Sequence, residues 1–447
     1  MWRTVAARLS ALGRGAKRTD RTGAQAEPAS QVLGFHFART GGTTLLNHLE
    51  RQLGPEACFN YGTNPDIARL LNGERLFEDR PAEERAGYRL IFGHQVDDHL
   101  LAIAGAPSVD LFTVTRDPYD RLLSIFKHDT RLRRQRGLPV RGLQAVMTDL
   151  GPDPFARALV RRFPRLAGEG DLRAQALRVL RHFRFVLATE DLDRQAPYLC
   201  AALGCPGEMA RRRQYAEAVA DPELSRADVH AASPVDAEIN QRVRAHTPPD
   251  PGAFNPFGYT PAVARAGIAR VQAETTLAAA RAHHLARMER ALQHTNTLPA
   301  VQEVLATARA DHPTATRLRA IAWRPPTSAD EAEGGFQRAA VRRGQGDHAG
   351  ALGDLETAVR LNPDNANARA ARAVYRLDAG RLQDALADAR AAVAASPHDA
   401  GNWWTLADVQ ATLGEQAAAA ESIQRALEIA PENDAIRRRY EELVATG

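Results

Sequence analysis

The segment Val32–Thr44, VLGFHFARTGGTT, sets one arginine, two adjacent glycines and three threonines between an apolar run and a helical pattern. Val32, Leu33, Phe35 and Phe37 predict a buried strand, and Thr43-Thr44-Leu45-Leu46 predicts the first turn of a helix. Gly41 and Gly42 carry no Cβ, so the turn can bring backbone N–H groups close to a ligand at the positive end of the helix dipole. Arg39 adds a full positive charge, and Thr40 lies between it and the glycines. These are the ingredients of a phosphate cradle. The same residues also fit an ordinary strand-to-helix turn, and no Gly-Lys-Ser/Thr closes the segment as it does in nucleotide triphosphatases.

Two further stretches supply chemistry of a matching kind. Tyr88, Leu90 and Phe92 alternate into Gly93-His94, a predicted strand ending on a histidine. An imidazole with a pKa near 6.5 can take the proton of a hydroxyl, although a strand-end histidine can equally be tied to a carbonyl. Leu111, Phe112, Val114 and Thr115 predict another strand that stops at Arg116-Asp117-Pro118, where the proline suits a first helical position. Arg116 then stands at a strand end and Ser124 about two turns into the next helix, both toward the carboxyl edge of a sheet, where ligands of open α/β folds bind.

Together these segments resemble the carbohydrate sulfotransferases, the family that includes heparan sulfate 2-O-sulfotransferase. His36 to Thr44 is similar to the 5′-phosphosulfate loop, Phe112 to Pro118 with Arg121 and Ser124 to the 3′-phosphate motif, Ile91 to His94 to the Gly-His segment, and Phe185 to Glu190 to the later strand with its Thr-Glu. The resemblance spans about Val32 to Cys205. It implies that Arg39, Thr40, Gly41, Gly42, Thr43 and Thr44 hold the 5′-phosphosulfate of 3′-phosphoadenosine 5′-phosphosulfate (PAPS), and that Arg116 and Ser124 grip its 3′-phosphate. His94 matches the catalytic histidine, and the expected acceptor is a hydroxyl of a saccharide or glycoconjugate. Arg39 stands where the family carries lysine and Ala38 where it carries proline. A planar guanidinium is not equivalent to an ammonium. A catalytically weakened nucleotide-binding module that serves as a scaffold is therefore the alternative.

The elements that must position these residues read as strands alternating with helices. The expected fold class is α/β, a P-loop-like sulfotransferase domain with a mostly parallel sheet flanked by helices. Four strands are predicted, the last at Phe185–Ala188. Helices are expected over 154–163 and 171–182 and from Thr189 to about Leu203. The proline-rich stretch 217–259 reads as loop. The run Arg131–Arg136 reads as a solvated face, or as a rim that attracts an anionic or sugar-acid substrate.

The last third repeats. Pro363, Pro397 and Pro431 are 34 residues apart, as are Gly346, Gly380 and Gly414, Ala339, Ala373 and Ala407, and Ala358, Ala392 and Ala426. That period, with small residues inside helix pairs and proline at their ends, is the tetratricopeptide pattern, and Ile436–Val444 fits a capping helix. The expected domains are a basic, disordered leader over 1–30, a sulfotransferase domain over 31–260, a helical connector over 261–327 with a hinge at Arg324–Thr327, and three repeats over 328–447. The repeats predict a protein or peptide partner, or a second copy of the chain.

Composition sets the outer bounds. With 44% hydrophobic and 25% charged residues the chain can build real cores, and a net charge of +4 lies far below a nucleic-acid-binding signature. Cys58, Cys200 and Cys205 form no CxxC unit, which favours a reducing compartment and no structural zinc, and no metal is expected. No run approaches the roughly 18 apolar residues of a membrane span. Trp2, Val5, Leu9 and Leu12 share a helical face, a weak signal for a membrane-surface helix, and no secretory signal is expected. The reading that results is a bacterial-type cytoplasmic enzyme.

Overall fold

Five short apolar strands pair into one sheet: β1 (Gln31–Phe35), β2 (Cys58–Asn60), β3 (Leu90–Gly93), β4 (Val109–Thr115) and β5 (Phe185–Ala188). All pairs are parallel and the spatial order is β2-β3-β1-β4-β5. The computed structural model describes residues 31–40, 42–62, 66, 69, 75–106, 108–135, 138–205, 224–249, 251–292, 328–344, 346–431 and 433–445. The basic leader, Gly41 and the hinge at Arg324–Thr327 lie outside the described residues, as do the side chains of Thr43 and Thr44.

Near-continuous burial of β1, β3 and β5 is what a parallel sheet covered on both faces requires. β1 sits at the centre. The chain leaves it toward β2 on one side, whereas β3 and β4 both lead the other way, so right-handed crossovers send their helices to opposite faces and open a crevice at the carboxyl end of β1. Gly34 is part of that packing, because a Cβ there would come 2.2 Å from the Phe112 ring opposite it.

Three features differ from the sequence reading. β2 is a fifth strand, and at three residues it is too short to show a period. The proline-rich stretch contains two helices, Arg226–Ala232 and Pro234–Ala245. The first is held by a Ser225–Asp228 capping box, and the second starts on Pro234 and buries Ile239 and Val243. The boundary at residue 260 cuts through a core. Helices Pro261–Glu274 and Leu277–Leu292, assigned to a connector, bury Ile268, Val271 and Ala280 in the same cluster as the strands.

In the C-terminal part, helices Ser328–Gly344, His348–Leu361, Ala366–Asp378, Leu382–Ala395, Ala400–Thr412 and Gln416–Ile429 pack as three antiparallel pairs, closed by Asp434–Ala445. Ala358, Ala392 and Ala426 are fully buried between helices. Gly346, Gly380 and Gly414 have φ of 81°, 72° and 82° at the turn inside each pair. A Cβ at any of them would meet nothing within 4 Å, so conformation rather than space demands glycine. The middle pair packs against the Pro118–Gln135 helix of the sheet domain, and Gln135 Nε2 donates to Oδ2 of Asp399, which caps the first helix of the third pair. Among the described residues no helix is long and apolar enough to cross a membrane.

Candidate functional site

Strand register brings the three chemistry-bearing segments to one edge. Phe35 is opposite Gly93 on β3 and Thr113 on β4, so His36, His94 and the β4 end at Arg116 emerge side by side. The His36 and His94 rings stack with centroids 4.4 Å apart. His94 Nδ1 donates to the His36 carbonyl at 2.7 Å, which fixes the proton on that nitrogen and leaves Nε2 as a bare acceptor at an exposed position. Desolvation lowers the pKa of His94 below the ordinary histidine value, the bond to the carbonyl opposes this, and the charges of Arg162 and Arg39 add to the lowering. His36 is pushed down to about 3 by desolvation, then by His94 and Arg39. Both imidazoles are neutral at pH 7, as a base awaiting a proton must be.

On the other side of β1 the loop gathers guanidinium groups. Arg39 adopts φ 64°, and its carbonyl accepts from Arg116 Nη1 at 3.1 Å. Desolvation lowers the pKa of Arg39, and Arg131 and Arg116 lower it further. Arg131, from the run that reads in sequence as a solvated face or a rim, is exposed and adds its charge to the surroundings of Arg39. Arg116 is partly desolvated too, and Glu190, Asp120 and Asp117 pull the other way.

Those acids are already engaged. Asp117 Oδ1 accepts from the Tyr119 and Asp120 amides at 3.0 and 3.2 Å, capping the Pro118–Gln135 helix, and its other oxygen meets His230 Nε2 at 2.8 Å. Glu190 accepts from the Asp117 amide at 2.8 Å and from Asn240 Nδ2 at 3.2 Å.

The threonines and Ser124 take different places. Thr40 is fully buried, and its hydroxyl donates to the Phe37 carbonyl at 2.8 Å, so its side chain closes the turn. Gly42, Thr43 and Thr44 open the Gly42–Leu53 helix, so its N-terminal end, the end that suits an anion, follows the loop after β1. Ser124 is partly exposed on the second turn of the Pro118–Gln135 helix. Arg121 is buried instead, with its guanidinium 3.7 Å from Asp236 and over the Phe37 ring, in a structural role.

Sequence reasoning missed the residues that tie this edge together. The Thr189 hydroxyl shares its proton between the carbonyls of Thr40 at 2.5 Å and Thr115 at 3.0 Å, joining the loop after β1, the end of β4 and the end of β5. Behind His94 lies a buried polar network. Arg287 reaches Asp97 Oδ2, the Gln95 carbonyl, the Tyr61 hydroxyl and His284 Nδ1 at 2.5, 3.0, 3.1 and 2.8 Å. Tyr61 donates to Glu78 at 2.5 Å. The signal for these was His284 and Arg287 three residues apart on one helix face, in a segment that read only as helical by composition.

Asp97, His99 and His283 bring three donor atoms within 4.8 Å of one another. The His99 and His283 rings are parallel within 7° and 3.7 Å apart, so their in-plane lone pairs do not converge on one point. Asp97 also carries the Arg287 charge. The trio reads as a hydrogen-bonded imidazole stack that docks the Leu277–Leu292 helix.

Comparison with known proteins speaks to the C-terminal part. A family model described as tetratricopeptide repeat matches residues 336–400 and 371–434. Among solved structures, MamA 41-end from Desulfovibrio magneticus RS-1 is similar at 17% identity and a TM-score of 0.27, covering 36% of this chain and 85% of that one. No curated protein matches the chain. Residues 336–434, where helix pairs, buried alanines and left-handed glycines recur every 34 residues, are tetratricopeptide repeats.

Proposed function

We propose that the chain is a sulfotransferase that moves the sulfuryl group of PAPS to a hydroxyl, with a protein or peptide partner held on its repeats. The observation that carries this reading is that strand register brings His94, the Arg39 loop and Arg116 to one edge of the sheet, where Arg116 donates to the Arg39 carbonyl and the charge of Arg39 acts on His94. The positive charges of Arg131 and Arg116 act on Arg39, which favours an anion beside it, and the Gly42–Leu53 helix starts at the same edge of the sheet, where helix N-termini suit anions. The residues present suit a nucleotide with phosphate at both ends of its ribose. Arg39 with the loop and the helix start takes the 5′-phosphosulfate, and Arg116 with Ser124 takes the 3′-phosphate.

PAPS supplies an activated sulfuryl group. His94 Nε2 accepts the proton of the acceptor hydroxyl as its oxygen bonds to sulfur. The sulfur–oxygen bond to the 5′-phosphate breaks, and 3′,5′-bisphosphoadenosine leaves with the electron pair. Arg39 neutralises the charge that develops on the leaving oxygen, so positioning and electrostatics do most of the work. A saccharide or glycoconjugate is the acceptor class that the family resemblance implies.

The test is transfer of labelled sulfate from PAPS to cell-derived oligosaccharides, lipids and peptides, with Arg116→Ala as the blank. Label appearing in an acceptor with the unaltered chain alone, and competition by 3′,5′-bisphosphoadenosine but not ATP, supports the reading. Equal label with Arg116→Ala overturns it. The tetratricopeptide match favours a second reading, a protein-interaction scaffold built on a nucleotide-binding module. PAPS binding without transfer to any acceptor, identical in His94→Ala, decides for that one.

A further inference from the structure

The candidate base His94 is carried by a four-residue segment, 94–97, between β3 and the Asp98–Ile103 helix. Both of its ends are fixed. Gly93, with φ 154°, lies so close to Tyr61 that a Cβ would come 1.8 Å from the Tyr61 carbonyl oxygen. Asp97 Oδ1 accepts from the His99 and Leu100 amides at 3.0 Å each and caps the helix. The remaining contacts come from far along the chain. Arg287 Nη1 donates to the Gln95 carbonyl, one residue after His94, and to Asp97 Oδ2, three after it. Its other terminal nitrogen holds the Tyr61 hydroxyl, whose backbone carbonyl is the one pressed against Gly93.

We propose that Arg287, on the Leu277–Leu292 helix, is the positioning residue of His94 and fixes the direction in which its free ring nitrogen points. The proposal rests on the reading of His94 as the proton acceptor. A planar fork suits the task, since it meets a carbonyl and a carboxylate with one terminal nitrogen and a hydroxyl and an imidazole with the other, which an ammonium cannot do from one position. Arg287 is buried, so its charge needs the surrounding groups: Asp97 and Glu78 as anions, Tyr61 and His284 as polar neighbours. Arg162, from the Pro154–Arg162 helix, feels Arg287 on one side and acts on His94 on the other. The imidazole is thereby set by the Leu277–Leu292 helix, which belongs to the site although about 190 residues of chain lie between them.

The experiment follows the His94 imidazole by NMR in the full chain carrying ring-labelled histidine, with His94→Asn to assign the signal. It compares the unaltered protein with Arg287→Lys and Arg287→Gln. The expected result for Arg287→Gln is a rise of the His94 titration midpoint by about half a pH unit or more, toward the ordinary histidine value, because the water gained by the ring outweighs the loss of the bond to the His36 carbonyl, which by itself lowers the midpoint. Arg287→Lys gives a smaller rise. Affinity for 3′,5′-bisphosphoadenosine, whose site faces the other side of β1, changes less than about twofold. An unmoved His94 titration in a folded Arg287→Gln protein overturns the proposal. If Arg287→Gln does not fold, Asp97→Asn keeps the helix cap while weakening the hold of Arg287, and an unmoved titration there overturns it too. Failure of the unaltered chain to bind bisphosphoadenosine counts against the transferase reading and leaves the Arg287 comparison intact.

Discussion

Arg39 holds a left-handed backbone, φ 64°, and its carbonyl oxygen accepts a hydrogen bond from the Arg116 guanidinium 3.1 Å away. A residue with a Cβ pays about 1–2 kcal/mol for that conformation, and the contact with Arg116 helps to hold it. Glycine removes the strain and the charge together. Arg39→Gly is expected to raise unfolding stability by about 1 kcal/mol in urea while losing nearly all sulfuryl transfer. Arg39→Ala loses transfer without the gain in stability, and Arg39→Lys retains or improves transfer. Equal transfer by all four proteins removes Arg39 from the mechanism.

Thr189 offers a test of the crevice itself. Its single hydroxyl proton serves the Thr40 and Thr115 carbonyls, so it sets the distance between the loop after β1 and the end of β4. Thr189→Val keeps the shape and strips the donor, leaving two carbonyls short of a partner at a cost of about 1–3 kcal/mol. If one nucleotide bridges the two segments, its affinity falls by about tenfold, and Thr189→Ser restores it. Calorimetric titration with 3′,5′-bisphosphoadenosine reads the result. An unchanged affinity with lowered stability means that the two segments do not bind one ligand.

How far the sequence carried depends on how local each signal was. The repeats were legible because their cause is local: a left-handed turn needs glycine at Gly346, Gly380 and Gly414, and close helix contact needs alanine at Ala358, Ala392 and Ala426. β1, β3, β4 and β5 were legible from apolar runs, and Arg116 and His94 fall at strand ends as their patterns predict. β2 was not, because three residues carry no period. Arg131 was ambiguous because a helix's polar face reads the same whether it meets water or a crevice. The spacing of His284 and Arg287 put them on one helix face, but their burial was not legible, because it depends on packing against residues about 200 positions earlier, which no window of sequence contains. Thr40 shows the converse limit: it lies in the turn after β1, where the pattern puts it, but the direction of its hydroxyl was not readable.

The stacked histidines give a signed pH dependence. His36 has its pKa lowered to about 3, and His94 is lowered as well, so the unfolded chain binds protons in a range where the folded chain does not. Both contributions are absent above about pH 6.5, and stability falls as pH drops below it toward about 3. In His36→Phe the ring stack can remain and the titrating group is gone. The difference in Tm between His36→Phe and the unaltered chain is therefore expected to shift in favour of the variant between pH 7 and pH 5. A difference independent of pH means that His36 is not held neutral. Transfer, if His94 is the base, loses its acidic limb only below the ordinary histidine value.

Within the repeats, conformation and volume can be separated at two positions of the middle pair. Gly380, φ 72°, has open space where a Cβ would go, so Gly380→Ala adds no clash and costs only the left-handed backbone, about 1–2 kcal/mol. Ala392 is fully buried against a neighbouring helix, and Ala392→Leu must push the pair apart, a cost of about 1–3 kcal/mol together with lost packing of the cluster around Ala366 and Ala370. Gly380→Asn, whose side chain tolerates the left-handed region, should recover part of the loss, whereas no change of residue at Gly380 should repair Ala392→Leu. Because the same pair packs on the Pro118–Gln135 helix, beside the Gln135 bond to Asp399 at the start of the next pair, the overpacked variant is also expected to loosen that contact. Hydrogen exchange at the C-terminal turns of that helix measures it. Protection there that stays at the native level in Ala392→Leu shows that the repeats and the sheet domain respond to packing independently.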